Sequence, residues 1–280
     1  MKVYLAGYKA KAINTAEVFT RYKIAWGGEP RVCAVMLVNG REAMVRRAVA
    51  SFAVQTASAR LLIFDSGQKP VYDAAVYDAA KRAVPIIYRR APGHGGSIFG
   101  CLRNAANTLA RAYGADIICH WDSDDYSHPR RIEEQVALLR DCGRPCVGYH
   151  EALFWDTRPL AIDDPRCVSA WQAVPGAPSC TPRNEAWLYS GGNPLQPIGA
   201  SLCYWRPEWE KRPFAEIKAP DERWAGDCGA KGVSAIDGAR IICSIHGANT
   251  TLRIPAVAIG KDWKRAPEWD AHCERTMRLV

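Results

Sequence analysis

From Arg31 onward the chain runs in short apolar blocks separated by stretches with helical spacing. Arg31 to Val38 is a continuous apolar run closed by Asn39-Gly40, the pattern of a strand buried on both faces. Glu42 to Gln55 sets Met44, Val45, Ala48, Phe52 and Val54 at amphipathic helical spacing. Leu61 to Phe64 predicts a second strand, ending at Asp65-Ser66-Gly67. Strand, helix and strand at this spacing form a βαβ unit, which implies a parallel sheet with right-handed crossovers. A third strand is predicted over Val84 to Tyr88, a helix over Ile98 to Tyr113, and a strand over Ala115 to Cys119. A helix over Pro129 to Arg140 and a strand over Cys146 to Phe154 follow. From Asp156 to Pro197 the periodicity is lost, and prolines, glycines, Trp171 and Trp187 dominate; so long a stretch without regular elements predicts a functional insert. The first 30 residues have no clear period and end in the turn signal Gly27-Gly28-Glu29-Pro30, which predicts an N-terminal extension. Val71 to Ala80 repeats one alanine-rich pentapeptide, and two copies make no solenoid.

The strand at Ala115 to Cys119 runs into His120-Trp121-Asp122-Ser123-Asp124-Asp125-Tyr126. Three carboxylates in four residues repel one another unless a cation or several donors neutralise them. Hard oxygen ligands suit Mg²⁺ or Mn²⁺, with phosphate oxygens and water completing the shell. The other reading of the same residues is a solvated acidic turn, in which Asp124 or Asp125 N-caps the helix that follows. Ala91 to Ser97 is a glycine-rich loop before a helix, either a cradle for phosphate or a flexible connection.

Composition narrows the setting. The 280 residues, 48% hydrophobic, are enough for one large domain or two small ones. A formal net charge of +8 favours anionic partners. The basic residues are dispersed (Arg46, Arg47, Arg89, Arg90, Arg130, Arg131), with no run of the kind that marks a nucleic-acid tail, so no nucleic-acid partner is expected. Eleven cysteines, several among apolar neighbours, read as reduced core residues, and Cys142 and Cys146 have no second pair at zinc spacing. There is neither a long apolar span nor a signal segment, which predicts a cytoplasmic protein. The tail, with Trp263 and Trp269 among basic residues, is either an interfacial helix against a membrane or a helix packed on the domain.

The order of these signals resembles the family-two inverting glycosyltransferases of the GT-A fold. The resemblance spans about residues 31 to 252. It rests on Asn39-Gly40-Arg41 after a strand, Gln55-Thr56 closing a helix, Asp65-Ser66-Gly67, Leu102-Arg103-Asn104, and Trp121-Asp122-Ser123-Asp124-Asp125 followed by Pro129-Arg130-Arg131-Ile132. It implies an α/β fold, Rossmann-like, with a mixed, mostly parallel central sheet flanked by helices. The corresponding division is an extension at 1–30, a glycosyltransferase domain at 31–255 (nucleotide-binding half 31–128, acceptor-binding half 129–255 with the insert 156–197) and a tail at 256–280.

The same resemblance implies a nucleotide-diphosphate sugar donor, a hydroxyl acceptor, a divalent metal (Mn²⁺ or Mg²⁺) and work in bacterial-type polysaccharide synthesis, with peripheral contact at the inner face of the membrane. It assigns the metal to Asp124 and His246, the latter in Ile245-His246-Gly247-Ala248-Asn249-Thr250. It assigns the nucleotide sugar to Val38, Asn39, Arg41, Asp65, Arg103, Asp122 and Ser123. The general base falls on Asp221 in Pro220-Asp221-Glu222-Arg223-Trp224, with Glu222 as the alternate. Ser66 stands where the family has the second acid of its base-binding pair, which leaves the nucleotide base open. Read without the resemblance, Arg103 is equally a surface helix residue, and a lone histidine such as His246 is more often structural. The rival functions are a nucleotidyltransferase on a similar sheet, an inactive sugar-nucleotide binder, and a basic nucleic-acid-binding protein.

Overall fold

The computed structural model describes residues 29–71, 85–92, 99–158, 183–217, 220–235, 237–246 and 262–278. Nearly all of the expected N-terminal extension, the pentapeptide repeat after Val71, the glycine-rich loop from residue 93, Trp171 and the closing motif after His246 lie outside the described residues.

One half of the sheet is parallel. Strands β1 (Val32–Val38), β2 (Ala59–Asp65), β3 (Ile86–Arg90) and β4 (Ile117–His120) stand in the order β3-β2-β1-β4. The alternation along β1 explains its unbroken apolar run. Val32, Ala34, Met36 and Val38 face one core, with Val45, Ala48, Val49 and Phe52 of helix α1 (Glu42–Ala53). Cys33 and Val35 face the other, with Leu102, Ala106 and Ala110 of helix α2 (Phe99–Ala112). A strand covered by helices on both faces has no polar side to show, so its pattern loses the two-residue alternation. The chain leaves β1 toward β2 on one side, while β4 pairs on the other. The carboxyl ends of β1 and β4 therefore border the crevice where an open α/β sheet binds its ligands.

Beyond β4 the sheet becomes mixed. β8 (Cys203–Trp205), which runs into helix α4 (Arg206–Lys211), is antiparallel to β4 and to β6 (Cys146–Asp156), and β6 also carries β7 (Glu185–Tyr189), β9 (Lys231–Ser234) and β10 (Ile241–Ile245). β7 lies inside the stretch expected to be irregular. Alternate burial is weak in its five residues, and its register is set by pairing with β6 and with β11 (Trp263–Arg265). A two-residue strand, β5 (Tyr126–Ser127), follows the acidic motif and pairs with β10. The C-terminal helix α6 (Asp270–Arg278) buries Cys273 and Met277 beside Leu153, Trp155 and Ile242, so it packs on the domain. Among the described residues no helix is long and apolar enough to cross a membrane. The described cysteines are all free thiols, most of them buried, as the composition implied.

The helix after the acidic motif, α3 (Arg131–Asp141), has no side-chain cap from Asp124 or Asp125. Gln55 serves it from the end of α1: its Oε1 accepts from Ile132 N–H at 3.1 Å, while its Nε2 donates to the carbonyls of His128 (2.8 Å) and Ser51 (3.1 Å). Thr56 N–H donates to the Pro129 carbonyl at 2.9 Å. The Gln55-Thr56 pair thus ties two helices across the sheet edge that carries the acidic residues. Gln55→Ala, which strips a helix N-terminus and two carbonyls of partners, should cost about 1–2 kcal/mol in urea unfolding with an unchanged slope. An unshifted midpoint would show that water replaces the amide without loss.

Candidate active site

The site grows from the end of β4. Trp121, 1% exposed, donates from Nε1 to the Ala48 carbonyl (3.0 Å) and meets Phe52 edge to face, so the indole fastens the acidic motif to α1. Burial then alternates: Asp122 and Asp124 are half-buried, Ser123 and Asp125 buried. The carboxylates of Asp122, Asp124 and Asp125 bring ligand atoms within 4.8 Å of one another.

Each is neutralised differently. Asp125 accepts from Ser244 N–H at 2.9 Å, and burial, followed by the charges of Asp124 and Asp122, lifts its carboxyl well above the usual range. It bolts the motif to β10. Asp124 accepts from Arg41 Nη1 (2.9 Å), and its Oδ2 lies 2.9 Å from His246 Nε2. Burial pushes the Asp124 carboxyl up, but the His246 contact and the Arg41 charge outweigh it and hold it below its ordinary value. Pairing of β10 with β5 is what brings His246 to a residue 122 positions earlier. Asp122 accepts from Arg103 Nη2 at 3.0 Å.

Arg103 lies on the buried face of α2 and is 2% exposed, which removes the surface-arginine reading. Its Nε is 3.6 Å from Asp221 Oδ1, and its Nε and Nη1 have no hydrogen-bond partner among the described residues. One guanidinium therefore stands between Asp122 and Asp221. Asp221 opens helix α5 (Asp221–Cys228), packs against Gly199 where a Cβ would sit 2.7 Å from its own, and leaves Oδ1 buried without a hydrogen bond. Burial raises its carboxyl pKa, Arg103 opposes the rise and Asp122 adds to it. Glu222 is half-buried one position on, and the Arg103 contact falls on Asp221.

The residues assigned to the nucleotide are arranged less uniformly. Val38 is buried, and its carbonyl accepts from both the N–H (2.8 Å) and the hydroxyl (3.1 Å) of Ser66. Asn39 is exposed at the mouth of the crevice. Asp65 is fully buried, and its carboxylate accepts from Gly67 N–H (2.9 Å), Val71 N–H (3.1 Å) and the Tyr88 hydroxyl, with Arg90 Nε at 3.8 Å. It organises its own loop.

Four residues escaped the sequence reading. Arg47 Nη2 donates to the Asp124 carbonyl and to Ser244 Oγ (3.0 Å), and its Nη1 to the Met277 carbonyl of α6 (3.0 Å). Arg131, 1% exposed, stacks on Trp121 at 5.0 Å and donates to Ser127 Oγ and to the carbonyls of His120 and Ala200. His120 is fully buried, with Nδ1 2.8 Å from the Gly199 carbonyl and Nε2 3.2 Å from the Tyr204 hydroxyl. Burial, then Arg103, drives its pKa well down, so it is a neutral imidazole protonated on Nδ1. Asn107 completes the chain by donating to Tyr204 at 2.8 Å. The helical period of α2 marks Arg103 and Asn107 as inward-facing; nothing local in the sequence marks Arg47 or His120.

The donor set fits a hard divalent cation. Octahedral ligands at about 2.1 Å stand about 3.0 Å apart when adjacent. The Asp124 to His246 separation is 2.9 Å, and a guanidinium nitrogen already stands against both as a cation.

No protein-family model and no curated protein sequence matches the chain. Solved structures do match it. Residues 1–349 of S. aureus TarS superpose on 76% of this chain at a TM-score of 0.51 with 12% identity. The same region in complex with UDP superposes on 77%, also at 0.51. The fold is GT-A. The chain spans 60% of that TarS structure. Glucosyl-3-phosphoglycerate synthase from Mycobacterium tuberculosis gives 14% identity at a TM-score of 0.42. In this GT-A domain the acid triad, Arg103 and Asp221 share the crevice at the ends of β1 and β4.

Arg47→Met should leave the fold in place while weakening Mn²⁺ binding about 10- to 100-fold, the usual cost of losing an outer partner of a ligand. An electron paramagnetic resonance titration of free Mn²⁺ reads this directly, and equal affinities in variant and wild type would leave Arg47 a purely structural residue.

Proposed function

We propose that the protein is an inverting glycosyltransferase that moves a sugar from a nucleotide-diphosphate sugar to an acceptor hydroxyl by single displacement. The observation that carries this reading is the chain Asp122, Arg103, Asp221 beside the Asp124 and His246 pair. Charge neutralisation and a buried carboxylate with an unpaired oxygen stand in one crevice. The shared fold of TarS, crystallised with UDP, supports a nucleoside diphosphate as the leaving group.

In-line displacement at the anomeric carbon needs a base on the acceptor and neutralisation of the departing diphosphate. The Asp221 carboxylate takes the acceptor hydroxyl proton as the hydroxyl oxygen attacks. Gly199 leaves room for the carboxylate, and the Arg103 charge keeps it ionised in a site that otherwise favours its protonated form. Arg103 Nη1, buried and without a partner, has donor capacity for a phosphate oxygen. Asp124 and His246 are the residues that would hold Mn²⁺ or Mg²⁺, which supplies Lewis-acid neutralisation of the diphosphate. No covalent enzyme intermediate is required.

Three outcomes test this. Asp124→Ala should abolish the Mn²⁺-dependent rise in thermal midpoint caused by UDP or another nucleoside diphosphate, a rise of about 2.7 kcal/mol at 100 times Kd in the wild type. Undiminished stabilisation in the variant removes the metal assignment. Asp221→Asn should lower turnover about 10²- to 10⁴-fold with donor affinity nearly unchanged, and Glu222→Gln is the control for the neighbouring position. Wild-type turnover in both variants would sink the mechanism.

The pH dependence has a definite sign. Because the Asp221 pKa is raised on folding, kcat/KM should fall as pH drops through a value above the ordinary aspartate pKa of about 3.9. For the same reason the protonated form is the one that favours folding, and that contribution is lost as pH rises through the folded pKa. Asp221→Asn should accordingly raise the melting temperature at pH 7 while it lowers activity, and a lowered midpoint would count against a buried, functionally retained charge.

A further inference from the structure

Arg41, which the resemblance assigns to the nucleotide sugar, contacts Asp124, and its geometry is unusual. Its Nη1 lies 2.9 Å from Asp124 Oδ2 and 3.3 Å from His246 Nε2, while those two atoms are themselves 2.9 Å apart. Asp124 Oδ2 accepts from Arg41 Nη1, and from His246 when that ring is protonated on Nε2, so the guanidinium stands beside both atoms that would ligate a metal. The backbone aims it there: Arg41 is left-handed at φ 63° and ψ 48°, next to Gly40 at φ 74°, where β1 ends and α1 begins. A non-glycine residue in that region carries strain that the surrounding structure must hold. Its side chain is 24% exposed, so it has an open side toward the crevice.

We propose that Arg41 is a placeholder cation, occupying the metal position between Asp124 and His246 until metal and donor diphosphate arrive together and displace it. The proposal rests on the glycosyltransferase reading above and adds a coupling to it. A divalent cation and a guanidinium cannot share two ligand atoms, so metal binding without nucleotide must take Arg41 from its Asp124 partner. With a diphosphate in the crevice, the displaced guanidinium has phosphate oxygens for its planar fork. Metal and nucleotide therefore tighten one another, and by thermodynamic linkage the two factors are equal. The other charges at this point are Asp122 and Asp125, which attract either cation, and Arg47, which holds the Asp124 carbonyl.

The test measures Mn²⁺ affinity of the full chain by electron paramagnetic resonance, with and without saturating UDP, in wild type, Arg41→Met, Arg41→Gln and Arg41→Lys. The neutral variants should bind Mn²⁺ about tenfold more tightly in the absence of UDP, and the gain in Mn²⁺ affinity on adding UDP, expected within about 5- to 150-fold in wild type, should shrink accordingly. Arg41→Lys, which keeps the charge, should stay near wild type. Two neutral variants guard against one that fails to fold. Arg47→Met is a control for loss of nearby positive charge, since it should act in the opposite direction. Neutral Arg41 variants that bind nucleotide-free Mn²⁺ no more tightly than wild type, alongside normal Asp124-dependent binding of Mn²⁺ with UDP, overturn the placeholder and leave the glycosyltransferase reading standing. Absence of saturable Mn²⁺ binding in the wild type with UDP overturns both.

Discussion

Three carboxylates crowded into four residues at the end of β4 are the constraint to which the surrounding structure responds. Like charges this close in a half-buried place repel strongly. Asp125 is met by burial and a backbone donor from β10, and its pKa is raised well above the usual range. Asp124 is held by Arg41 and His246, and Asp122 by Arg103. The three solutions draw on β1, α2 and β10, elements far apart in sequence that the sheet order brings together. The cluster is thus a reason for the fold around it to be rigid as well as a site within it.

That rigidity has its own supports. Arg131, almost fully buried, is stabilised by the carbonyls of His120 and Ala200, two side-chain oxygens and the face of Trp121. Its bonds lock the end of β4 to the turn containing Gly199 and Ala200, the turn against which Asp221 packs. A buried charge bonded in this way gives geometry more than net stability, because its desolvation offsets much of what its bonds return. Asp221 and the acidic motif are therefore held to one rigid frame by one side chain.

How far the sequence reveals this depends on the kind of signal. The parallel half was readable because β1, β2 and the helices over them obey simple periods, and their bounds shift by only a few residues between expectation and structure. The mixed half was not. β5, β8 and β11 are two or three residues long, and strands that short are defined by their partners. The acidic motif, Asp221 and His246 were visible as motifs, and the structure draws the motif to His246 directly and to Asp221 through Arg103. Asp65 was visible too, but no sequence rule says that Tyr88, Gly67 and Val71 occupy its oxygens. Arg47 and His120 act through backbone carbonyls, and a carbonyl partner leaves no mark in the residue types.

The arrangement around Arg103 connects the acidic motif to Asp221. Its guanidinium bonds Asp122 on the acidic motif and stands 3.6 Å from Asp221, so one buried cation feels the charge of both. Burial disfavours the charged arginine, and the two carboxylates outweigh that penalty, which is why its pKa ends above the ordinary value. Any negative charge brought near Asp122 competes for the same guanidinium and weakens its hold on Asp221. As that hold weakens, the Asp221 carboxylate becomes more basic. On the glycosyltransferase reading proposed above, a donor diphosphate entering the crevice would strengthen Asp221 as the base, and the sharing of one arginine between two acids would favour transfer only after the donor is in place.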